Sequence, residues 1–209
     1  MAARIDHAVT SGTFSLDGQT FEVDNNVWVV GDDTECLVID APHDMEAILK
    51  VVAGRRVTAI VATHAHDDHV RVAPQLSQAT GAPVLLHPAD RVLWDMVHPD
   101  QSPGGELHDG QRIEVGGSTL TVLHTPGHSP GACCLHDPTQ EVVFTGDTLF
   151  AGGPGATGRS YSDFGTIIDS IRDRLLTLPP QTVVHPGHGD SSTIGAEAPQ
   201  LPQWLARGH

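Results

Sequence analysis

Three imidazoles and two carboxylates stand within six residues at His64-Ala65-His66-Asp67-Asp68-His69, directly after the strand-forming run Val57–Ala62. A buried strand that empties into such a cluster sets it at the mouth of a sheet. Imidazole nitrogen and carboxylate oxygen suit zinc, iron or manganese. Four donors cannot all converge on one ion and leave room for a substrate. The spacing therefore divides them between two ions, with His64 and His66 on one and Asp68 and His69 on the other. Asp67 reads as a hydrogen-bonding support rather than a ligand.

Three more segments repeat the theme of a His or Asp presented just after a strand. They are Thr125-Pro126-Gly127-His128, Thr145-Gly146-Asp147-Thr148-Leu149-Phe150 and His185-Pro186-Gly187-His188-Gly189. Each is weak alone, since a His beside Pro and Gly is commonly a turn residue. Four such signals in one chain point to a shared rim.

The rest of the chain supplies the scaffold. Val27–Val30 and Cys36–Ile39, separated by Gly31-Asp32-Asp33, read as a hairpin. Asp44–Ala53, Val70–Thr80 and Ala89–Val97 carry helical spacing, the second stopping at Gly81. Val84–Leu86 is a short strand. In the second half, Arg112–Val115 and Leu120–Leu123 flank the turn Gly116-Gly117. Ala132–Leu135, Val142–Phe144 and Thr182–Val184 are further strands, and Asp163–Leu178 is the longest helical pattern. Gly152–Gly158 reads as a loop, where substrate contacts are common. Two mixed halves predict α/β architecture, with two packed sheets and helices outside, as one domain over residues 1–209.

Composition narrows the function. A formal net charge of −15 argues against nucleic acid and against an anionic membrane surface, because both need basic clusters. No apolar stretch approaches the ~18 residues of a membrane span, and the opening residues lack the apolar core of a signal peptide. Cys36, Cys133 and Cys134 make a poor disulfide framework, so a cytoplasmic, reducing setting is expected. Cys133 and Cys134, adjacent in a strand, face opposite ways and read as packing residues. His7, His43, His87, His98, His108, His136 and His209 read as surface or turn residues. His124 and His185 sit beside the motifs, where they could support ligands by hydrogen bonds.

The combination H-x-H-x-D-H, T-P-G-H, G-D-T-L-F and P-G-H-G, spanning Thr63 to Gly189, resembles the metallo-β-lactamase superfamily, and within it the glyoxalase II-like hydrolases. The resemblance implies an αββα sandwich. It implies two divalent ions, zinc with iron or manganese as alternatives. His64, His66 and His128 would hold the first, Asp68, His69 and His188 the second, and Asp147 would bridge them, giving Asp68 and Asp147 the catalytic roles. Some β-lactamases of the superfamily carry Cys where Asp147 stands. The implied reaction is hydrolysis of a low-molecular-weight thiol's thioester, a small-molecule substrate, by a hydroxide shared between the ions.

Gly158-Arg159-Ser160-Tyr161 is similar to a relative's segment that grips glutathione carboxylates, which makes Arg159 and Tyr161 candidate substrate contacts. Arg suits a carboxylate through its planar fork; the competing reading is an Arg that ties down the Gly-rich loop. The glutathione-specific enzyme adds a C-terminal helical domain with basic residues. About twenty residues follow His188 here, with Arg207 the one Lys or Arg among them. A different thiol, such as mycothiol, is therefore an alternative carrier. Rival readings are a lactonase or other ester hydrolase, a scaffold without activity, and a persulfide dioxygenase of the same fold. The last would use one iron on His64, His128 and Asp147. The sequence sets no oligomeric state.

Overall fold

The computed structural model describes residues 3–208; His209 lies outside them. The first half runs β1 (Arg4–Leu16), β2 (Gln19–Gly31), β3 (Glu35–Ile39), α1 (Met45–Val52), β4 (Arg56–Val61), α2 (Asp67–Val70), α3 (Ala73–Thr80), β5 (Val84–Leu86), α4 (Arg91–Val97) and β6 (Gly105–Glu106). Its six strands form one sheet in sequence order. The second half runs β7 (Arg112–Val115), β8 (Ser118–His124), β9 (Cys133–Asp137), β10 (Val142–Gly146), β11 (Leu149–Phe150), β12 (Gly153–Pro154), α5 (Phe164–Ser170), β13 (Val183–Pro186), β14 (Ser192–Thr193), α6 (Ile194–Glu197) and α7 (Leu201–Arg207). Its main sheet has the order β14-β13-β10-β9-β8-β7.

The period-2 alternation of strand side chains builds the layers. In β3, Cys36 and Val38 join the core beneath α1 and α3, whereas Leu37 and Ile39 join the core between the sheets. In β10, Val142 and Phe144 face that same inter-sheet core, while Val143 faces Ile167 and Ile171 on the other side. Two sheets back to back, with a helical layer outside each, make the expected αββα sandwich. Cys133 and Cys134 divide between two cores as expected, and burial pushes the Cys134 thiol up to about 11. Among the described residues, no helix is long and apolar enough to cross a membrane.

The structure corrects the sequence reading in several places. The hairpin of β1 and β2 pairs from Arg4↔Gly31 to Leu16↔Gln19. β1 escaped notice because polar residues interrupt its apolar positions, although Asp17-Gly18 is a strong turn signal. Both turn residues take positive φ, 51° and 74°. The helix expected over Val70–Thr80 is two helices, α2 and α3. Pro74 has no N–H to give the carbonyl of Val70 four residues back; His98 Nε2 donates to that oxygen instead, at 2.9 Å. His98 is thus a structural partner, not a plain surface residue. The helix expected over Asp163–Leu178 is α5 followed by a wider turn over Ile171–Leu175, in which Leu176 N–H donates to Ile171 O. Part of the Gly152–Gly158 loop is strand, since β12 pairs with β11.

Candidate metal centre

The loops that leave β4, β8, β10 and β13 converge on one rim. Thr63, two residues past the end of β4, is fixed by Asp40, whose carboxylate accepts from Thr63 N–H (2.7 Å) and Oγ1 (2.9 Å). Asp40 sits buried at the end of β3 with φ 62°, a left-handed conformation that a short polar side chain tolerates. His66 caps α2, which carries Asp68 and His69. Gly127 has φ 133° and its Cα lies against Ile167, where a Cβ would come within 2.2 Å of backbone. Gly187 is packed against the donors themselves: a Cβ there would lie 2.4 Å from Asp147 Oδ1 and 2.6 Å from His69 Cε1. Its N–H donates to Gly146 O at 2.8 Å, which locks the His188 loop to the Asp147 loop.

The seven residues expected as ligands come together in sets. His64, His66 and His128 form one, Asp68, His69 and His188 another, and His64, His69 and Asp147 a third. His66 Nδ1 is 3.0 Å from both His64 Nε2 and His128 Nε2. His69 Nε2 and His188 Nε2 are 3.2 Å apart, and His188 Nε2 is 3.3 Å from Asp68 Oδ2. Asp147 reaches both groups, with Oδ1 3.3 Å from His69 and Oδ2 3.6 Å from His128 and 3.4 Å from His188.

The donor set fits divalent ions on three counts. First, His128 Nδ1 donates to Ala156 O (2.8 Å) and His188 Nδ1 to Asp24 O (2.7 Å). A carbonyl oxygen only accepts, so Nδ1 of each ring carries the hydrogen and Nε2 is the atom turned into the site. Second, His69 Nδ1 pairs with Asp40 Oδ2 at 2.8 Å, which aims its Nε2 the same way. Third, Asp147 Oδ1 and His66 Nε2 are buried and make no hydrogen bond of good geometry among the described residues, and buried polar atoms call for a partner.

The two groups differ in charge without metal. Burial, reinforced by His128, lowers His66 to about 3, and burial with His69 and His66 lowers His64 well below its ordinary value. These imidazoles stay neutral. Burial works the same way on His188, but Asp147 and Asp68 outweigh it and raise His188 to about 10. His69 is likewise raised, by Asp147, Asp68 and Asp40 against burial. Burial opposes ionisation of Asp68, yet His69, His188 and Asn25 hold it down at about 2.

Four supporting residues escaped the sequence reading. Two of them are Asp40 and Thr63, joined at the end of β3. Asn25 is fully buried; its Nδ2 donates to Asp68 Oδ2 (3.1 Å), and its Oδ1 accepts from His43 Nε2 (2.8 Å). His43 is therefore part of the site's support and not a plain turn residue. Asp90 ties the loops of the first group together. Its Oδ2 accepts from Ala65 N–H (2.9 Å) and Ser129 Oγ (2.8 Å), and its Oδ1 from Gly131 N–H (2.5 Å). An acidic residue at the end of an apolar strand was the available signal for Asp40; Asp90 and Asn25 had none. Asp67 supports as expected, accepting from Ser15 N–H at 3.1 Å and pairing with Arg71. His124 donates to Pro130 O and His185 pairs with Ser191; neither touches a ligand.

A cavity of about 260 Å³ opens over the donors, with Phe14, Phe21, Val23 and Phe150 in its walls. Arg159 is the one Lys or Arg that lines it. Its guanidinium lies 5.0 Å and 4.6 Å from the ring centroids of Phe14 and Phe21, which face each other across β1 and β2. Tyr161, expected beside it, is 48% exposed and does not line the cavity.

Seven nitrogen and oxygen donors on the shared rim of an αββα sandwich define a metal-binding hydrolase fold. The chain belongs to the metallo-β-lactamase superfamily, which matches residues 21–188. It is 31% identical to "Probable metallo-hydrolase YqgX" of Bacillus subtilis, over 85% of this chain and 90% of that one. It is 31% identical to "Hydroxyacylglutathione hydrolase GloC" of Haemophilus influenzae, over 79% and 85%. The solved di-iron-bound form of TTHA1623 is 36% identical, with a TM-score of 0.75 over 84% of this chain and 93% of that one.

Proposed function

We propose that the protein hydrolyses S-acyl thioesters of a small thiol, S-lactoylglutathione or a related conjugate, at a centre of two divalent ions. The observation that carries this reading is Asp147, a single carboxylate within reach of both donor groups. The relative named hydroxyacylglutathione hydrolase supports the substrate class. Ions held there would supply Lewis acidity and a water acidic enough to attack at neutral pH.

The chain's own residues supply the rest. Asp68, His69, His128 and His188 are held from behind: Asn25 donates to Asp68, and Asp40, Ala156 O and Asp24 O accept from the three rings. Arg159 stands in the lining with no ion pair among the described residues, and a cation held beside two aromatic rings is placed to receive a substrate carboxylate. No role at the cavity is proposed for Tyr161. Three buried, unpaired thiols support a reducing, cytoplasmic setting.

The test is metal quantification on the protein as isolated, followed by thioester, lactone and persulfide substrates. Two ions per chain with thioester cleavage that chelation abolishes is the expected result. Oxygen uptake with a persulfide and no thioester cleavage would replace this reading with a one-iron dioxygenase.

A further inference from the structure

A second hollow, also of about 260 Å³, lies between β1 and α4. It meets the metal cavity at Leu16 and His66, which line both. Ala65, Leu93, Met96 and Val97 complete its apolar surface. Met96 is 59% exposed and Val92, four residues earlier on the same helix, 41%. A lone exposed Met needs no explanation. Here it forms the outer wall of a hollow that adjoins the metal cavity.

The charges at this hollow restrict its occupant. Asp67 is the only carboxylate in its lining, and it is already engaged by Arg71 and by Ser15 N–H. An anionic tail would meet that carboxylate, and a cationic tail would have to displace Arg71. An uncharged, apolar chain meets neither cost and buries the exposed Met96 and the half-buried Val97.

We propose that this hollow is an acyl subsite and that, among thioesters of the small thiol, the protein takes those with an unbranched apolar acyl chain in preference to the lactoyl conjugate. The proposal rests on the thioester reading above. The carbonyl carbon sits over the donors, and the chain runs past His66 and Leu16 to Met96. Water adds to that carbon, the carbon–sulfur bond breaks, and the thiol and the carboxylic acid leave. At about 260 Å³ the hollow has room for several methylenes, and octanoyl serves as the reference length.

The test is a series of thioesters of one thiol, from acetyl to decanoyl, with the metal-loaded protein and its Met96→Glu variant. Met96 is exposed, so the change leaves the core intact. The kcat/KM is expected to rise about two- to fourfold per methylene up to octanoyl. Met96→Glu is expected to lower the octanoyl-to-acetyl ratio at least about tenfold. Cleavage of every chain length at one rate overturns the subsite and leaves the thioesterase reading standing. If no thioester is cleaved, that reading fails, and calorimetric binding of hexanoate, octanoate and decanoate decides the subsite. Affinity that climbs with length and is lost in Met96→Glu upholds it; length-independent binding overturns it. A change in solution mass on Met96→Glu would assign the face to contact between copies and also overturn the proposal.

Discussion

Asp90→Ala removes the acceptor for three buried donors at once: Ala65 N–H, Ser129 Oγ and Gly131 N–H. Leaving a buried donor unmet costs about 1–3 kcal/mol. Burial raises the Asp90 carboxyl above its usual range even with these three partners, so the native carboxylate itself carries a desolvation cost. The lower end of each range therefore applies, about 3 kcal/mol in all. For a chain of this size each kcal/mol is worth about 2–4 °C. The metal-free variant should melt about 6–12 °C below the parent, measured by circular dichroism in excess chelator. Ala65 and Ser129 are next to His66 and His128, so the ion on the first donor group should be held about ten- to a hundredfold more weakly in chelator competition. Asp90→Asn keeps one acceptor oxygen and should fall between. A melting shift under about 2 °C with unchanged metal affinity would refute the argument that Asp90 sets the distance between these loops.

Asp147→Ala should lower occupancy of both ions, read by metal quantification; full occupancy of either one would remove the bridging assignment. Metal binding at Asp68, His69 and His188 should release protons near pH 7, because His188 keeps its proton up to about 10 in the metal-free protein; calorimetry in buffers of different ionisation enthalpy measures the number. The same raised value means that His188 stabilises the chelated protein fully below its unfolded value of about 6.5 and loses that contribution as pH rises through about 10, so the chelated protein's Tm should fall across that window. Arg159→Ala should raise KM for a carboxylate-bearing thioester and spare kcat, lowering kcat/KM about ten- to a hundredfold. Equal weakening of a small neutral thioester would make Arg159 a structural residue instead.

Much of the site was legible before folding because its ligands are local in sequence. Strand-end motifs such as His64-Ala65-His66-Asp67-Asp68-His69 carry their donors within a few residues, and their chemistry is set by residue type alone. Strand alternation likewise fixed the layers, as Cys133 and Cys134 illustrate. Pairing across distance was not legible. Asp40 reaches His69 over 29 positions and Asp90 reaches Gly131 over 41, and neither separation leaves a periodic trace. The β1 strand, whose polar residues look like loop, is a strand because β2 offers thirteen paired positions. That pairing put Phe14 and Phe21 beside Arg159 and left Tyr161 outside. Donor identity follows from side-chain chemistry, which the sequence states. Which groups stand behind the donors, and what walls enclose them, depend on contacts that exist only once the two sheets close on each other.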